Sequence, residues 1–475
     1  MNTLTIAWIA LSLFMGFVIY LLPKVDRYLA LSVAGVSLGY ALQVFLQQSP
    51  LTLQLLDNFG ITLVVDQLSG YFILTNALVT AAVIIYCWHD KTAFFYMQTI
   101  ILHGSLNAVF VCADFMSLYV ALEVIGIAAF LLIAYPRTER SIWVALRYLF
   151  VSNTAMLFYL VGAILVYKAN HSFAFAGLSE APTEAVALIV LGLLTKGGIF
   201  VSGLWLPLTH SESETPVSAL LSGIVVKAGV FPLIRCSLLV DDVYAIARIF
   251  GVAAALFGVF YAILEKDTKR TLALSTLSQL GWILASPEAG GLYALAHGTA
   301  KSTLFLIAGN LPSRNFQQLQ QHKAIHPVLW IALTIAGLSI SGFPLFVGFG
   351  AKILTLSYLP NAYATAMNIG AVGTAIVYAK FIFLPRGGQE KIRFGLVLAV
   401  SLTISALLLA NIAYYQAYII ANIAKVLAII AIGWMAYFLI LRRAELKLPR
   451  MLEQFEHLIG GMSLMLILLF WMVFA

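Results

Sequence analysis

Apolar stretches long enough to cross a lipid bilayer recur along this chain from one end to the other, and that feature decides its fold class. A helix rises 1.5 Å per residue, so about twenty apolar residues span the roughly 30 Å of hydrocarbon. Such stretches fall at 3–22, 28–47, 65–88, 94–112, 115–135, 144–167, 184–208, 215–240, 243–264, 271–287, 290–312, 327–358, 362–385, 394–412, 416–441 and 458–475. Of the 475 residues, 62% are hydrophobic and 10% charged, where a soluble domain is about half and a quarter. The pattern predicts an all-α polytopic membrane protein with about 14–16 transmembrane helices and no sizeable soluble domain. It excludes disordered, secreted and disulfide-stapled classes. The three cysteines, Cys87, Cys112 and Cys236, lie in or beside apolar runs and read as small buried hydrophobes. The first stretch has no basic segment before it and no small-residue cleavage site after it, so a retained helix is expected there.

The net charge of +7 would suit nucleic acid, but the distribution of the charge gives it another cause. Loops after odd-numbered stretches carry Lys24, Arg27, Lys91, Arg137, Arg140, Lys266, Lys269, Arg270, Arg314, Lys323, Arg386, Lys391, Arg393, Arg442, Arg443, Lys447 and Arg450, whereas loops after even-numbered ones carry Lys168 alone. Cytoplasmic loops of membrane proteins are enriched in Lys and Arg. Both termini are therefore expected on the non-cytoplasmic side, and the excess charge anchors the cytoplasmic face.

Nine basic residues remain inside the stretches: Arg147, Lys196, Lys227, Arg235, Arg248, Lys301, Lys352, Lys380 and Lys425. The three arginines sit near helix ends, where a long side chain can reach the interface. Lys196, Lys227, Lys301 and Lys352 lie deep. Each charge at the bilayer centre costs about 2.5–3.5 kcal/mol on insertion scales, so four cost roughly ten or more. Glu123 is the one central carboxylate, and His103 and His297 add titratable groups at similar depth. A row of amines with one acid suits a proton path, because an amine held out of water can be poised between charged and neutral forms. The bland alternative is a set of paired structural lysines lining a wet cavity.

The middle of the chain echoes itself. Lys196 and Lys227 are 31 residues apart on adjacent stretches, and Lys352 and Lys380 are 28 apart on a later adjacent pair. Upstream of each pair, Ala145–Phe158 aligns with Ala294–Phe305 and sets Ser152 against Lys301. A repeat of about five helices is odd in number, so the second copy enters from the opposite side, as in many transporters. The chain accordingly divides into N-terminal helices 1–90, a first inverted repeat 91–240, a second 241–390 and C-terminal helices 391–475. Two broken helices are expected. Gly197, Gly198 and Pro207 follow Lys196, and Gly342, Pro344 and Gly348 precede Lys352. Non-helical backbone survives in a membrane only where protein or water satisfies it. A packing kink or close helix contact through small residues is the alternative.

These residues resemble the antiporter-like subunits shared by Mrp-type cation/proton antiporters and respiratory complex I, over roughly 65–385. The resemblance rests on Lys196-Gly-Gly through Trp205-Leu-Pro and His210-Ser-Glu212 to Lys227, on Asp267–Gly281 with Ala296-His297, and on Gly342–Lys352; Asp66 in Val-Asp-Gln-Leu-Ser also fits. It implies that Glu123 and Lys196 form an acid–lysine switch in which separating the pair releases the lysine's proton. Lys227 with Lys301 or His297 would form the central relay, and Lys352 the terminal proton site. His210, Glu212 and Lys380 are candidates for the entrance or exit. Ser213-Glu214 departs from the Ala-Pro common in the family and leaves the entrance open: Glu212 and Glu214 could be solvated loop carboxylates, and His210 a turn residue.

The resemblance implies a proton-translocating subunit of a multi-subunit Mrp-type Na+/proton antiporter, D-type, in the cell inner (plasma) membrane or an energy-transducing internal membrane. The alternatives are a proton-pumping subunit of an NADH/quinone oxidoreductase or membrane hydrogenase, and a scaffold that only holds partners. The expected partners are other membrane subunits, protons, a monovalent cation and the bilayer, not nucleic acid. The chain carries no dinucleotide fingerprint, iron–sulfur cysteine cluster or haem motif. No cofactor or metal site is therefore expected, and redox chemistry would belong to partner subunits; the chain reads as a secondary transporter subunit, not an enzyme.

Overall fold

A computed structural model describes residues 2–47, 49–55, 60–321, 324–388, 391–442 and 450–474. Lys323, Arg443 and Lys447 of the basic loops lie outside the described residues. Helices α1 (Asn2–Leu21), α2 (Asp26–Leu46), α3 (Gln67–Tyr86), α4 (Ala93–Val109), α5 (Phe115–Ile133) and α6 (Glu139–Asn170) come first, with a hairpin of β1 (Leu51–Gln54) and β2 (Thr62–Val65) between α2 and α3. Then come α7 (Thr183–Gly197), α8 (Leu206–Glu212), α9 (Thr215–Leu220), α10 (Lys227–Ser237), α11 (Asp241–Leu264), α12 (Thr268–Ala285) and α13 (Gly290–Ala308). After the short α14 (Phe316–Gln321) follow α15 (Pro327–Ser341), α16 (Val347–Ser357), α17 (Asn361–Ile382), α18 (Phe394–Leu409), α19 (Ile420–Ala436) and α20 (Phe455–Phe474).

The chain is an all-α polytopic membrane protein. Among the described residues twelve helical segments are long and apolar enough to cross a membrane. Each of the sixteen stretches falls on a helix or a pair of helices. The stretches outside the twelve are α4, α12, α13 and the α15–α16 pair, which are shorter or more polar. In α12 and α13 every residue is buried, so their polar side chains face protein and not lipid.

Polar residues set the helix starts. Asp66, Asp114 and Asp267 each accept a hydrogen bond from a backbone N–H in the first turn of the helix they precede, α3, α5 and α12. Thr138 and Ser141 form a reciprocal capping box on α6.

The charged loops sort by parity. Among the described residues eight side-chain ion pairs form, and seven join segments that follow odd-numbered stretches. They include Lys91–Glu214 at 2.7 Å, Arg140–Glu212 at 3.5 Å and Arg314–Asp267 at 2.7 Å. The eighth, Arg235–Asp66, joins the end of the eighth stretch to the start of the third, at the even-loop end, beside the β-hairpin that bridges to Cys112. A miscounted span would have placed these charges at opposite ends of the bundle. Asp66 and Glu265 lie at these ends, outside the helices. Burial works to raise both carboxyls, but Arg235 outweighs it at Asp66 and Arg270 with Arg450 at Glu265, holding both below the usual carboxylate range.

Candidate functional site

Both expected breaks are present, and they take the same form. The helix α7 ends where Gly198 turns left-handed at φ 68°, and α15 ends where Gly342 does so at φ 87°. Each Gly N–H bonds back to the preceding turn, Gly198 to Leu194 and Thr195 and Gly342 to Leu338 and Ser339, the usual glycine stop. A non-glycine residue with positive φ follows each, Phe200 at 54° and Leu345 at 85°. Backbone held there costs about 1–3 kcal/mol and persists only where the surroundings enforce it. Pro207 opens the first turn of α8 instead of breaking it, and Pro344 lies within the α15–α16 break. Gly348 lets α16 meet α15: a Cβ there would sit 1.9 Å from the Ser339 carbonyl. On α10 a Cβ at Gly229 would sit 2.3 Å from Gly197 N, so close packing through small residues occurs beside the first break too.

The deep lysines lie on neighbouring helices: Lys196 on α7, which packs on α10; Lys227 at the start of α10; Lys301 on α13, which packs on α9 and on the turn just before Lys227; and Lys352 on α16, which packs on α13. All four are buried. Lys196 Nζ donates to Ser152 Oγ at 2.6 Å, and Glu123 forms no ion pair with it among the described residues. The half-buried Glu123 has an Oε1 with no hydrogen-bond partner. Acid and lysine therefore stand apart, with Ser152 on α6 holding the amine.

Lys227 sits where α9 passes into α10 through a π-helical turn, Leu221–Val225. That turn closes i→i+5 rings, wider than those of an α-helix, and presents carbonyls to the Lys227 amine. Lys227 Nζ donates to two of them, Ser222 O at 3.2 Å and Gly223 O, and meets His297 Nδ1 of α13 at 3.0 Å. Gly298 makes the approach possible, because a Cβ there would lie 2.7 Å from Gly223 O and 2.3 Å from Thr75 Cγ2. His297 Nε2 has no partner. One helical turn along α13, Lys301 Nζ donates to Leu272 O at 2.9 Å. Among the described residues Lys352 Nζ has one hydrogen-bond partner, Ser341 O at 3.4 Å.

The entrance and exit candidates all lie toward the odd-loop end of the bundle. His210 is fully buried against Phe305 with neither ring nitrogen bonded. Glu212 pairs with Arg140, and Glu214 makes a two-oxygen contact with Lys91. Lys380 lies on the odd-loop side, where its amine caps the C-terminus of α11 through Ala262 O, Ile263 O and Glu265 O. It borders a cavity lined by Glu265, Gln317, Gln320 and Tyr437.

His103 stands outside the lysine row. Its Nε2 takes hydrogen bonds from Ser37 and Asn107, and its Nδ1 faces Thr80, whose hydroxyl donates to Asn76. Ser37 Oγ already accepts from Trp8 and Asn107, leaving its own proton for His103. The network suits a neutral ring protonated on Nδ1 and ties α1–α4 together. Sequence depth alone does not separate this histidine from His297; the asparagines at i+4 and on α3 are the signal.

Sequence reasoning also missed the aromatic partners. Lys352 Nζ lies 4.8 Å from the Trp282 ring centre, Lys301 Nζ 5.6 Å from Tyr378 and Lys380 Nζ 4.6 Å from Phe316. Among the described residues no group of His, Cys, Asp and Glu could hold a metal ion.

Two discontinuous helices beside buried amines within an all-helical bundle are features that membrane transporters share. The chain belongs to the family described as NADH:quinone oxidoreductase/Mrp antiporter, TM, which matches residues 112–378. It is 29% identical over 363 residues to NADH-quinone oxidoreductase subunit N of Desulforudis audaxviator, covering 68% of this chain and 72% of that protein. It is 24% identical over 437 residues to the D-type Na(+)/H(+) antiporter subunit of Alkalihalophilus pseudofirmus, covering 82% and 88%. Its fold is similar to a chain of the archaeal membrane-bound sulfane sulfur reductase, with TM-score 0.78, 20% identity and coverage of 91% and 98%. A chain of the Mrp complex from Dietzia sp. DQ12-45-1b gives TM-score 0.75 at 22% identity, covering 98% of this chain and 55% of that one.

Proposed function

We propose that this chain is the proton-translocating subunit of a multi-subunit Mrp-type Na+/proton antiporter, with protons passing along Glu123, Lys196, Lys227, His297, Lys301 and Lys352. The observation that carries the reading is the contact of Lys227 Nζ with His297 Nδ1 at 3.0 Å in the buried centre. Two cations cannot share that distance cheaply, so a proton on one disfavours a proton on the other, which is the condition for handing it on.

Orphaned polar atoms support a wet route. Glu123 Oε1, Thr195 Oγ1, His297 Nε2, Trp282 Nε1 and Ser339 Oγ are buried without protein partners, and buried polar groups of this kind call for water. His210 belongs to the same set; it and Lys380, beside its cavity, both lie toward the odd-loop end, and each is a candidate for the opening of the route on that face. The odd-loop face is the cytoplasmic one on charge grounds, which puts both termini on the other side. We further read 91–240 and 241–390 as inverted copies. In support, each has five segments and the fourth is the broken one.

A second reading, a proton-pumping subunit of a quinone-reducing complex, is favoured by the 29% identical relative. Proteoliposomes holding the chain with its native partner subunits separate the two. An imposed Na+ gradient drives dye-reported proton movement on the first reading; only a quinone with its reductant drives it on the second.

A further inference from the structure

The buried amines divide by the company they keep. Lys196 and Lys227 have oxygen and imidazole partners, and among the described residues neither has an aromatic face over its amine. Lys301, Lys352 and Lys380 each have one: Tyr378, Trp282 and Phe316. The first half of the bundle places one carboxylate, Glu123, at membrane depth. In the second half no described carboxylate ion-pairs with Lys301, Lys352 or Lys380. Lys352 is the extreme case, with one backbone carbonyl at 3.4 Å. Other titratable groups on the elements packed against α16 are Tyr293, His297 and Lys301 on α13, Tyr414 and Tyr415 in the turn 410–417, and Glu288 ahead of α13. On α12 they are Lys269 and Arg270, at its far end. None bonds to the Lys352 amine.

Resting on the relay reading above, we propose that Trp282 is a positioning residue whose indole face is the counter-charge of Lys352. The negative face of an aromatic ring attracts a cation, tryptophan most strongly, and more so away from water. The ring is fixed for this. It stacks on Tyr293 with centres 5.8 Å apart and planes within 15°, and the Tyr293 hydroxyl donates to Gln279 Oε1 at 2.7 Å. Gln279 in turn reaches Thr374 on α17. An aromatic counter-charge differs from a carboxylate in one functional respect: it does not accept the proton itself. It holds the charged amine without offering the proton a second resting place, so the proton leaves Lys352 only outward along the route.

The test is the pH profile of proton transport by the complex reconstituted with its partner subunits. Fluorinated tryptophans placed site-specifically at 282 keep the shape of the ring and weaken its face stepwise. The expected result is a stepwise move of the profile toward acid, reaching about one pH unit with Trp282→Leu, with Trp282→Phe in between. A profile that stays in place across the fluorinated series, in complexes that assemble and transport, overturns the proposal and leaves Trp282 a packing residue. A Trp282→Leu chain that does not assemble leaves the decision to the fluorinated series. Lys227→Ala run alongside keeps the two ideas apart. Wild-type transport by that variant sinks the relay itself, whereas a dead Lys227→Ala with an unmoved tryptophan series sinks only the aromatic counter-charge.

Discussion

Lys227 and His297 face each other across α10 and α13, Nζ to Nδ1 at 3.0 Å, with no carboxylate bonded to either. The lysine's other partners are carbonyls of a π-helical turn. Replacing His297 by Phe keeps the ring and removes the nitrogen that faces the amine. Proton transport by His297→Phe is expected to fall about tenfold or more, roughly 1.4 kcal/mol in barrier, while assembly on a native gel is unchanged. Equal transport would place His297 outside the route.

Gly298 sets the spacing of that pair. A methyl group at 298 would stand 2.3 Å from Thr75 Cγ2 and 2.7 Å from Gly223 O, so Gly298→Ala must push α13 away from α3 and the π-helical turn. Overpacking of this kind costs about 1–3 kcal/mol. Transport should fall and thermal stability drop by a few degrees. Thr75→Ser in the same chain removes the methyl it strikes and should restore part of both; no recovery would show that the seat at 298 does not govern the contact.

Ser152 holds the Lys196 amine at 2.6 Å while Glu123 stands apart. A hydrogen bond to a charged group is worth about 1.5–3 kcal/mol. Ser152→Ala is therefore expected to slow transport, and to add nothing in a chain that already carries Lys196→Ala, a non-additivity a double-mutant cycle measures. Additive losses would mean that Ser152 acts through something other than Lys196.

Glu265 joins α11 to the C-terminal segment through Arg270 and Arg450, and Arg270 also pairs with Glu453. Burial disfavours the Glu265 charge, yet the arginines hold its carboxyl below the ordinary value. A carboxyl depressed by folding contributes stability that is present above its unfolded value and is lost as pH falls through the folded one. Melts of the detergent-solubilised protein should lose stability as pH drops below about 4.5, and Glu265→Gln should flatten that fall. Arg270→Ala leaves the largely buried Glu453 carboxylate unpaired and Glu265 to Arg450 alone, and should cost about 3 kcal/mol or more at neutral pH. An Arg270→Ala melt matching the wild type would remove the network from the account.

Much of this was legible in the sequence because two signals are global. Hydrocarbon thickness dictates stretch length, and loop charge checks the count; the parity of the ion pairs shows how tightly the two agree. The breaks were legible because glycine is the residue that adopts the left-handed turn at 198 and 342. Partners were not legible. Nothing in one stretch says that Lys196 meets Ser152, that Lys380 caps α11, or that Trp282 lies over Lys352, since each contact joins residues 44, 115–118 or 70 positions apart. His103 and His297 look alike in sequence, and only the side chains around them separate the two: three hydrogen-bonding groups hold one ring, and an amine meets the other. The π-helical turn at 221–225 is equally silent, because Leu-Ser-Gly-Ile-Val carries no signal for a wider ring and the turn packs against α13.

The central claim is that buried amines carry the proton, and Lys227→Met tests it most directly. Methionine keeps the unbranched reach and removes the charge. Proteoliposomes containing the whole complex, loaded with a pH-sensitive dye and given a Na+ gradient, report the flux. The account predicts an assembled complex whose proton movement falls to that of empty liposomes; an assembled complex moving protons at the wild-type rate would contradict it.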